Sequence, residues 1–275
     1  MIFVWSALIV ASVTAFAVAA MLLVRRGAPE GSRFTDGDRA SGVFGVLATG
    51  FSVLLGLVVF LAFESYDQSR TGAETEAVVL SQQVETAQLL PLPGGAQLTG
   101  ELICYGRYVV HTEWPRAEHG SLGDDVNPWG VQLFQTLQPI QPRTASQQSA
   151  YDKWLDQRFE REAARIDRIH GAVGVIPTPL WVVLFFISVV IFVYMLFFAD
   201  SGEGAVTQAV LMGSVVSVIV SMLLLIRFLD TPFHSGVGGV KPTAMERTLR
   251  IIDQSLRGVD VQVSPPCNTE GNPGT

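Results

Sequence analysis

Four long apolar runs constrain this chain more than any other feature of its sequence. They occupy residues 2–24, 43–63, 179–198 and 205–228. A helix needs about 20 residues to cross a hydrocarbon core roughly 30 Å thick, and each run has about that length. Inside lipid, backbone amides must bond within their own segment, so each run is predicted to be a transmembrane helix. The expected fold class is therefore all-α, a polytopic membrane protein with four transmembrane helices.

Composition and motifs exclude several classes of function. Only 16% of the residues are charged, whereas soluble domains carry about 25%. The net charge of −7 argues against a nucleic-acid partner and leaves membrane lipid as the expected surroundings. The sequence contains no phosphate-binding loop or nucleophile elbow, and the spacing of His111, Glu113 and His119 matches no zinc template. We expect no enzyme activity, no cofactor and no metal site.

The apolar runs divide the chain into four segments. They are residues 1–63, transmembrane helices one and two with a short basic loop; residues 64–176, a helical extramembrane domain formed by the insert between spans two and three; residues 177–229, the transmembrane hairpin of helices three and four; and residues 230–275, an extramembrane tail. Prolines and glycines near the end of the tail predict disorder there.

The insert is predicted to contain three helices and one short segment. Without a breaker after Phe63, span two is expected to continue to about residue 90, and apolar periodicity predicts helices near residues 97–113 and 145–170. The short segment lies between prolines at residues 128–137. The Trp114-Pro115 pair is expected to end the helix near residues 97–113, because proline cannot continue a helix. The last helix mixes acidic residues with Arg161, Arg165 and Arg168, a pattern typical of a salt-bridged, solvated face.

Loop charge predicts the orientation in the membrane. With four spans, the insert and the tail share one side and the two short loops share the other. The first short loop carries Arg25, Arg26, Arg33 and Arg39, which favours the cytoplasm for that loop. The insert and tail of a protein in the cell inner (plasma) membrane would then be extracytoplasmic. The opposite orientation stays open, because the second short loop carries no basic residue.

That orientation determines the redox environment of the two cysteines. Cys104 and Cys267 would share an oxidising side of the membrane and could form a disulfide. The alternative is that both remain free thiols, one buried in the insert and one exposed on the tail.

One face of the second span is layered. Small residues recur at Gly42, Gly45, Thr49, Ser52 and Gly56, in steps of three and four that keep them on one side of a helix. Apolar and then acidic positions follow on the same side. The predicted pore-lining residues are Thr49, Ser52, Gly56, Phe60, Phe63, Glu64 and Asp67. Rings of carboxylates favour cations, so Glu64 and Asp67 predict cation preference.

The same face is also compatible with helix packing inside one subunit, and both interpretations stay open. Small residues allow helices to approach closely in lipid. The predicted helix-packing positions are Gly42, Gly45, Ser214, Ser217 and Ser221. Alanines at positions 7, 11, 15 and 19 predict a packing ridge on the first span. The third span is bulky on every side, so it is expected to face lipid while the other three pack together.

Four short elements carry a family resemblance. They are Phe63-Glu-Ser-Tyr-Asp-Gln-Ser-Arg, Glu113-Trp-Pro, Pro177-Thr-Pro-Leu-Trp and Leu229-Asp-Thr-Pro-Phe. Together with the span layout they resemble the bacterial bestrophin-like membrane proteins, distantly named after bestrophin channels, up to about residue 253. The resemblance implies four spans per subunit, a pentamer and a pore lined by span two with an apolar neck. It places Phe60 and Phe63 at the axis, with Ser52 and Gly56 above them.

Two functional hypotheses follow. The first is a homo-oligomeric ion channel-like protein with a pore lined by the second span and a preference for cations. The second is a non-conducting, membrane-anchored helical domain that binds an envelope or signalling partner. The mass of the purified assembly and its conductance separate the two hypotheses.

Overall fold

The computed structural model describes residues 2–30, 33–34, 36–121, 126–258 and 263–274. Within these ranges the secondary structure is helical, apart from one isolated antiparallel bridge between Cys267 and Pro273. The helices are α1 (Ile2–Arg25), α2 (Gly37–Ala87), α3 (Gly94–Tyr108), α4 (Trp114–Glu118), α5 (Pro128–Leu137), α6 (Ala145–His170), α7 (Thr178–Phe197), α8 (Ala205–Asp230) and α9 (Thr243–Gly258).

The chain divides into two compact units. Unit 1 consists of Met1–Glu64 and Val175–Asp230, and unit 2 consists of Ser65–Gly174 and Thr231–Thr275. Helices α1, α2, α7 and α8 are long and apolar enough to cross a membrane. The prediction of an all-α membrane protein with four spans is thereby confirmed.

Helix α2 is much longer than a membrane span requires. Its 51 residues extend about 76 Å at 1.5 Å per residue, against a hydrocarbon core of roughly 30 Å. Residues 37–64 belong to unit 1 and residues 65–87 to unit 2. The sequence has no breaker after Phe63, and the helix continues past it as predicted.

The core of unit 1 lies between α2, α7 and α8. Phe51 and Val58 of α2 are buried there with Leu184 of α7 and Ile226 of α8. The expectation that the third span faces only lipid is therefore wrong. Since α7 is apolar on every side, the sequence pattern does not reveal which side packs.

Helix α1 packs on α8 through a different side than expected. The contact contains Ala17 of α1 and Met212 of α8, with Gly213 of α8 beside them. A Cβ atom at Gly213 would lie 3.4 Å from Thr14 Cγ2 and 3.5 Å from Val18 Cγ2, so the helices approach closely here. The alanines at positions 7, 11, 15 and 19 are all exposed, and the ridge they form does not pack within the chain.

The core of unit 2 is built by the insert and the tail together. Leu102 of α3, Leu133 of α5, Trp154 of α6 and Ile252 of α9 are buried in one cluster. Helix α6 has the predicted bounds, and the short segment predicted at residues 128–137 is helix α5. Helix α6 begins where the side chain of Thr144 accepts a hydrogen bond from Gln147 N at 3.2 Å.

Helix α9 was not predicted. Its buried residues are Met245, Thr248, Ile252 and Leu256. Their spacing of three, four and four residues is typical of an amphipathic helix and could have revealed it.

The predicted helix end at Trp114-Pro115 is wrong. A π-helical turn, Val109–Glu113, follows α3 and leads directly into α4. The N–H group of Trp114 bonds to the carbonyl of Val109, five residues earlier. The wider turn accommodates the ring of Pro115, which would otherwise clash with a carbonyl four residues earlier.

The end of the tail differs from the predicted disorder over residues 263–274. Cys104 and Cys267 are joined by a disulfide, with their Cα atoms 5.8 Å apart. Trp129 Nε1 donates a hydrogen bond to Gly271 O at 2.7 Å. Gly271 has a φ of +84°, and a Cβ atom there would lie 2.3 Å from Tyr108 N. Only glycine fits at such a position. The glycine-containing end of the tail is therefore a turn held by the disulfide and by Trp129, not a disordered segment.

Gly72 is a close backbone contact between α2 and α6. A Cβ atom at this position would lie 2.5 Å from Arg168 N and 2.8 Å from Ala164 O. A glycine that weakens the helical pattern of the sequence thus allows two helix backbones to touch.

Candidate pore surface on the second helix

Helix α2 exposes the layered face that the sequence predicts. All seven predicted pore-lining positions are exposed on the chain: Thr49, Ser52, Gly56, Phe60, Phe63, Glu64 and Asp67. Phe60 is 61% exposed and Phe63 is 52% exposed. Aromatic side chains of this size are usually well covered, so the face lacks a covering partner within the subunit.

The opposite face of the same helix is covered. Phe51 is only 4% exposed and Val58 is 1% exposed, and both lie in the core with α7 and α8. The alternation of exposed and buried residues follows the helical period. Packing within the subunit therefore uses one side of α2 and leaves the layered side open.

The glycines on the open side are not used for packing within the subunit. A Cβ atom built on Gly42, Gly45 or Gly56 meets no atom within 4 Å. Their small size is therefore unexplained by contacts of this chain. Packing roles for Gly42 and Gly45 stay predictions.

The serines of α8 also lie outside the contact with α1. Ser214 and Ser221 are exposed and Ser217 is half-buried. The hydroxyl of Ser214 donates to Leu211 O at 2.9 Å, and that of Ser217 donates to Ser214 O at 2.9 Å. These hydroxyl groups are satisfied by their own helix, and their packing role stays a prediction.

Exposed charge continues on α2 in unit 2. Arg70 Nε and Glu74 Oε1 form an ion pair at 3.2 Å, with both side chains well exposed. Gln68 Nε2 donates to Asp167 Oδ1 at 2.8 Å. The exposed acidic positions Glu64 and Asp67 directly follow the two exposed phenylalanines along the helix.

Unit 2 contains a buried charge cluster that the sequence pattern does not predict. Arg165 Nη2 contacts Glu113 Oε1 at 3.0 Å. Arg168 bonds to Glu113 and also to Glu76, whose Oε1 lies 3.2 Å from Arg168 Nη2. The hydroxyl of Tyr105 donates to Glu76 Oε1 at 2.5 Å. We call these five residues the charge cluster.

The charge cluster is internally neutralised. Burial by itself would raise the pKa of Glu113, but the charges of Arg168 and Arg165 outweigh it and hold that pKa below its usual value. Burial lowers the pKa of Arg168, but the two carboxylates outweigh it and raise that pKa. Burial and the nearby charge of Glu76 raise the pKa of Tyr105, which stays a neutral donor.

The predicted solvated face of α6 is therefore wrong at its arginines. Arg161 and Arg168 are fully buried and Arg165 is nearly so. Arg161 Nη1 donates to Gln83 Oε1 at 2.6 Å, and its guanidinium carbon lies 4.6 Å from the centre of the Tyr105 ring. The steps of four and three residues place the arginines on the side of Trp154, which is the signal that could have revealed this.

Two motifs from the sequence prove structural. In the Glu113-Trp-Pro element, Glu113 belongs to the charge cluster and Trp114 packs against Phe233, with ring centres 5.5 Å apart. In the Leu229-Asp-Thr-Pro-Phe element, Asp230 Oδ1 accepts hydrogen bonds from Val175 N at 2.8 Å and Ile176 N at 2.9 Å. These contacts hold chain segments together and provide no reactive group.

The histidines weighed as metal ligands do not converge. His111 and His119 are exposed, while Glu113 is engaged by two arginines. Across the part of the chain that the structure describes, no group of three potential metal ligands comes together.

A family model agrees with this architecture. The model of the Bestrophin-like domain matches residues 11–245, which is most of the chain. The chain belongs to the Bestrophin-like family. The resemblance expected from the four sequence elements is thereby confirmed. No curated protein matches this Bestrophin-like chain in sequence.

Solved structures share the fold at low sequence identity. A variant of a bacterial Bestrophin homolog from Klebsiella pneumoniae matches with a TM-score of 0.66 and 12% identity, covering 92% of this chain and 99% of its own. A second variant matches with a TM-score of 0.64 and 14% identity, covering 93% and 98%. A structure described as a membrane protein gives 0.66 and 13%, covering 92% and 99%. These matches establish the fold of the Bestrophin-like chain.

Proposed function

We propose that this Bestrophin-like protein is a homo-oligomeric ion channel-like membrane protein whose pore is lined by the exposed face of α2. The observation that carries the proposal is the open face itself. A transmembrane helix that presents hydroxyl groups, glycines and two phenylalanines outward needs a covering. Copies of the same chain around an axis supply that covering, and the resemblance suggests five of them.

The order of residues along the face supports conduction. Thr49, Ser52 and Gly56 offer a narrow, weakly polar path, and Phe60 with Phe63 forms an apolar neck. Such a neck gates a pore by excluding water. Passive conduction requires no ionisable group deep inside a span.

The residues beyond the neck support cation preference. Glu64 and Asp67 are exposed on the face that bears the phenylalanines. In a symmetric oligomer each becomes a ring of carboxylates, and such rings concentrate cations at a pore mouth. The nearby Arg70 is paired with Glu74, which limits its effect on that field.

The disulfide supports the orientation predicted from loop charge. Disulfides persist in extracytoplasmic compartments and are rare in the cytosol. Cys104 and Cys267 both belong to unit 2, so unit 2 is proposed to lie outside the inner membrane. Arg25, which donates to Ser201 O at 3.1 Å, would lie at the cytoplasmic side.

Planar-bilayer recording of the purified protein tests the proposal. We expect conductance under a salt gradient with a reversal potential on the cation side. The double substitution Glu64→Gln and Asp67→Asn is expected to move that potential toward zero. Glu160→Gln, at an exposed position of α6, should leave it unchanged. An absence of conductance, or a double variant identical to the parent, contradicts the proposal.

The mass of the crosslinked protein provides an independent test. A ring of identical subunits is the expected result. A monomer that purifies with a different protein would favour the anchored, non-conducting alternative.

A further inference from the structure

Unit 1 contains an apolar groove between α1, α7 and α8. The residues that line it belong to these three helices and differ from those of the open face of α2. The volume of the groove is about 680 Å³. Phe16 of α1, Trp181 and Val189 of α7, and Ile219 of α8 contribute to its walls. Arg227 of α8 contributes a charge to a lining that is otherwise apolar except for Ser188, whose hydroxyl donates to Leu184 O at 2.7 Å.

The charge and the indole lie at one end of the groove. Trp181 is in the first turn of α7 and Arg227 is in the last turn of α8. Because these two helices form a hairpin, the start of α7 and the end of α8 reach the same membrane boundary. Tryptophan and arginine at such a boundary lie at the level of lipid headgroups.

The groove is somewhat longer than one lipid leaflet. Its walls follow α7 from Trp181 to Met195, which corresponds to about 21 Å at 1.5 Å per residue. One leaflet contributes about half of a hydrocarbon core of roughly 30 Å. The groove therefore runs from the headgroup level past the middle of the bilayer.

The groove has the volume of a small-ligand site. Small-ligand sites occupy about 300–1,000 Å³ and have mostly apolar walls with a few polar groups that fix orientation. The size and lining match a single long chain with an anionic end.

We propose that this groove binds one acyl chain of an anionic phospholipid, with the lipid phosphate held by Arg227 and the glycerol region beside Trp181. The apolar walls accept methylene groups that make no hydrogen bonds, and the guanidinium attracts the phosphate. The net headgroup charge sets the preference, since anionic and zwitterionic lipids share the same acyl chains. The proposal does not depend on conduction.

Fluorescence quenching by brominated lipid tests the site. The full-length protein is reconstituted in phosphatidylcholine vesicles containing increasing fractions of brominated phosphatidylglycerol or brominated phosphatidylcholine. The difference between the parent and Trp181→Phe isolates the emission of Trp181. We expect half-quenching at a phosphatidylglycerol fraction about fivefold lower than the phosphatidylcholine fraction, the effect of one basic side chain on an anionic lipid.

Arg227→Gln is the decisive variant. It is expected to bring the two half-quenching fractions together while quenching by phosphatidylcholine is unchanged. Arg26→Gln, which alters a basic residue at the other end of α1, is expected to keep the fivefold preference. Three outcomes would overturn the proposal: equal quenching of the parent by both lipids, a preference that survives Arg227→Gln, or protection of Trp181 from both lipids, which would show another subunit covering the groove.

Discussion

The two halves of α2 use polar side chains in opposite ways. In unit 1 the buried side of the helix is apolar, with Phe51 and Val58 in the core, while hydroxyl and carboxylate groups lie on the open side. In unit 2 the same helix buries Glu76 and Gln83 against arginines of α6. The polar groups of α2 therefore stabilise the fold in unit 2. In unit 1 they lie on the open side of the helix, where they do not contribute to the core.

The difference has a physical basis. A buried charge in unit 2 is tolerated because several partners neutralise it. Glu76 and Gln83 bond α2 to the arginines of α6. A membrane-spanning core made only of apolar side chains has no such requirement. Changes on the two halves should consequently separate stability from conduction.

The largest effect is expected from Arg168→Met in the charge cluster. The change leaves Glu76 and Glu113 buried with less compensation, which should lower the free energy of unfolding of unit 2 by about 3–5 kcal/mol. Denaturant unfolding followed by the fluorescence of buried Trp154 measures it. Lys153→Met, at an exposed position of α6, is the matched control and should change the free energy of unfolding little. Equal stabilities for the two variants would remove the proposed role of the cluster.

Removing the disulfide should come next. Cys104 and Cys267 are 163 residues apart, and loss of a bond that closes a long loop typically costs about 2–4 kcal/mol. Cys267→Ser should lower the unfolding temperature and leave one thiol that is alkylated after denaturation without reductant, because Cys104 is buried in the native protein. The parent should show none under the same conditions, and two alkylated thiols in the denatured parent would argue against both the bond and the orientation it supports.

A matched pair of phenylalanines tests the two sides of α2 directly. Phe51→Ala should destabilise unit 1 by roughly 2–3 kcal/mol, below the range for soluble cores because lipid replaces part of the lost contact. Phe60→Ala should leave the monomer's stability nearly unchanged and raise the open probability of the channel. Thermal unfolding in detergent and bilayer recording measure the two effects. Similar unfolding temperatures for both variants would break the distinction between the faces.

The smallest effect is expected from pH. Because the folded-state pKa of Glu113 is held below its usual value, its contribution to stability is present above the unfolded pKa of about 4.3 and is lost as pH falls through the lower folded value. Unfolding free energies of the parent at successively lower pH should decline in that window. The Glu113→Gln variant, although weaker overall, should decline less steeply, and a parallel decline would exclude this residue as a source.

The sequence predicts features that arise from long, repeated patterns. Apolar length located all four spans, and helical periodicity with Gly171 as a C-cap located α6 at its observed bounds. The exposed face of α2 could also be anticipated, because its small, aromatic and acidic residues follow one helical period. Its assignment as a pore needs neighbouring copies, which a single sequence does not describe.

Other features depend on contacts between distant residues. Arg161 and Arg168 look like surface residues because their partners, Gln83, Glu76 and Glu113, are on other helices. Met245 and Ile252 of α9 follow a helical period. The proline and glycine residues elsewhere in the tail favour disorder and obscure that period. The packed side of α7 could not be found at all, since its pattern is apolar all round.

Gly72 has a consequence that extends to the charge cluster. The hydrogen atom in place of a side chain lets the backbone of α2 rest directly on that of α6 at Arg168. A single added methyl group would push the two helix axes apart and shift every guanidinium that reaches from α6 toward a carboxylate. Gly72, which has no side chain, thus sets the separation of α2 and α6 on which the ion pairs of the charge cluster depend.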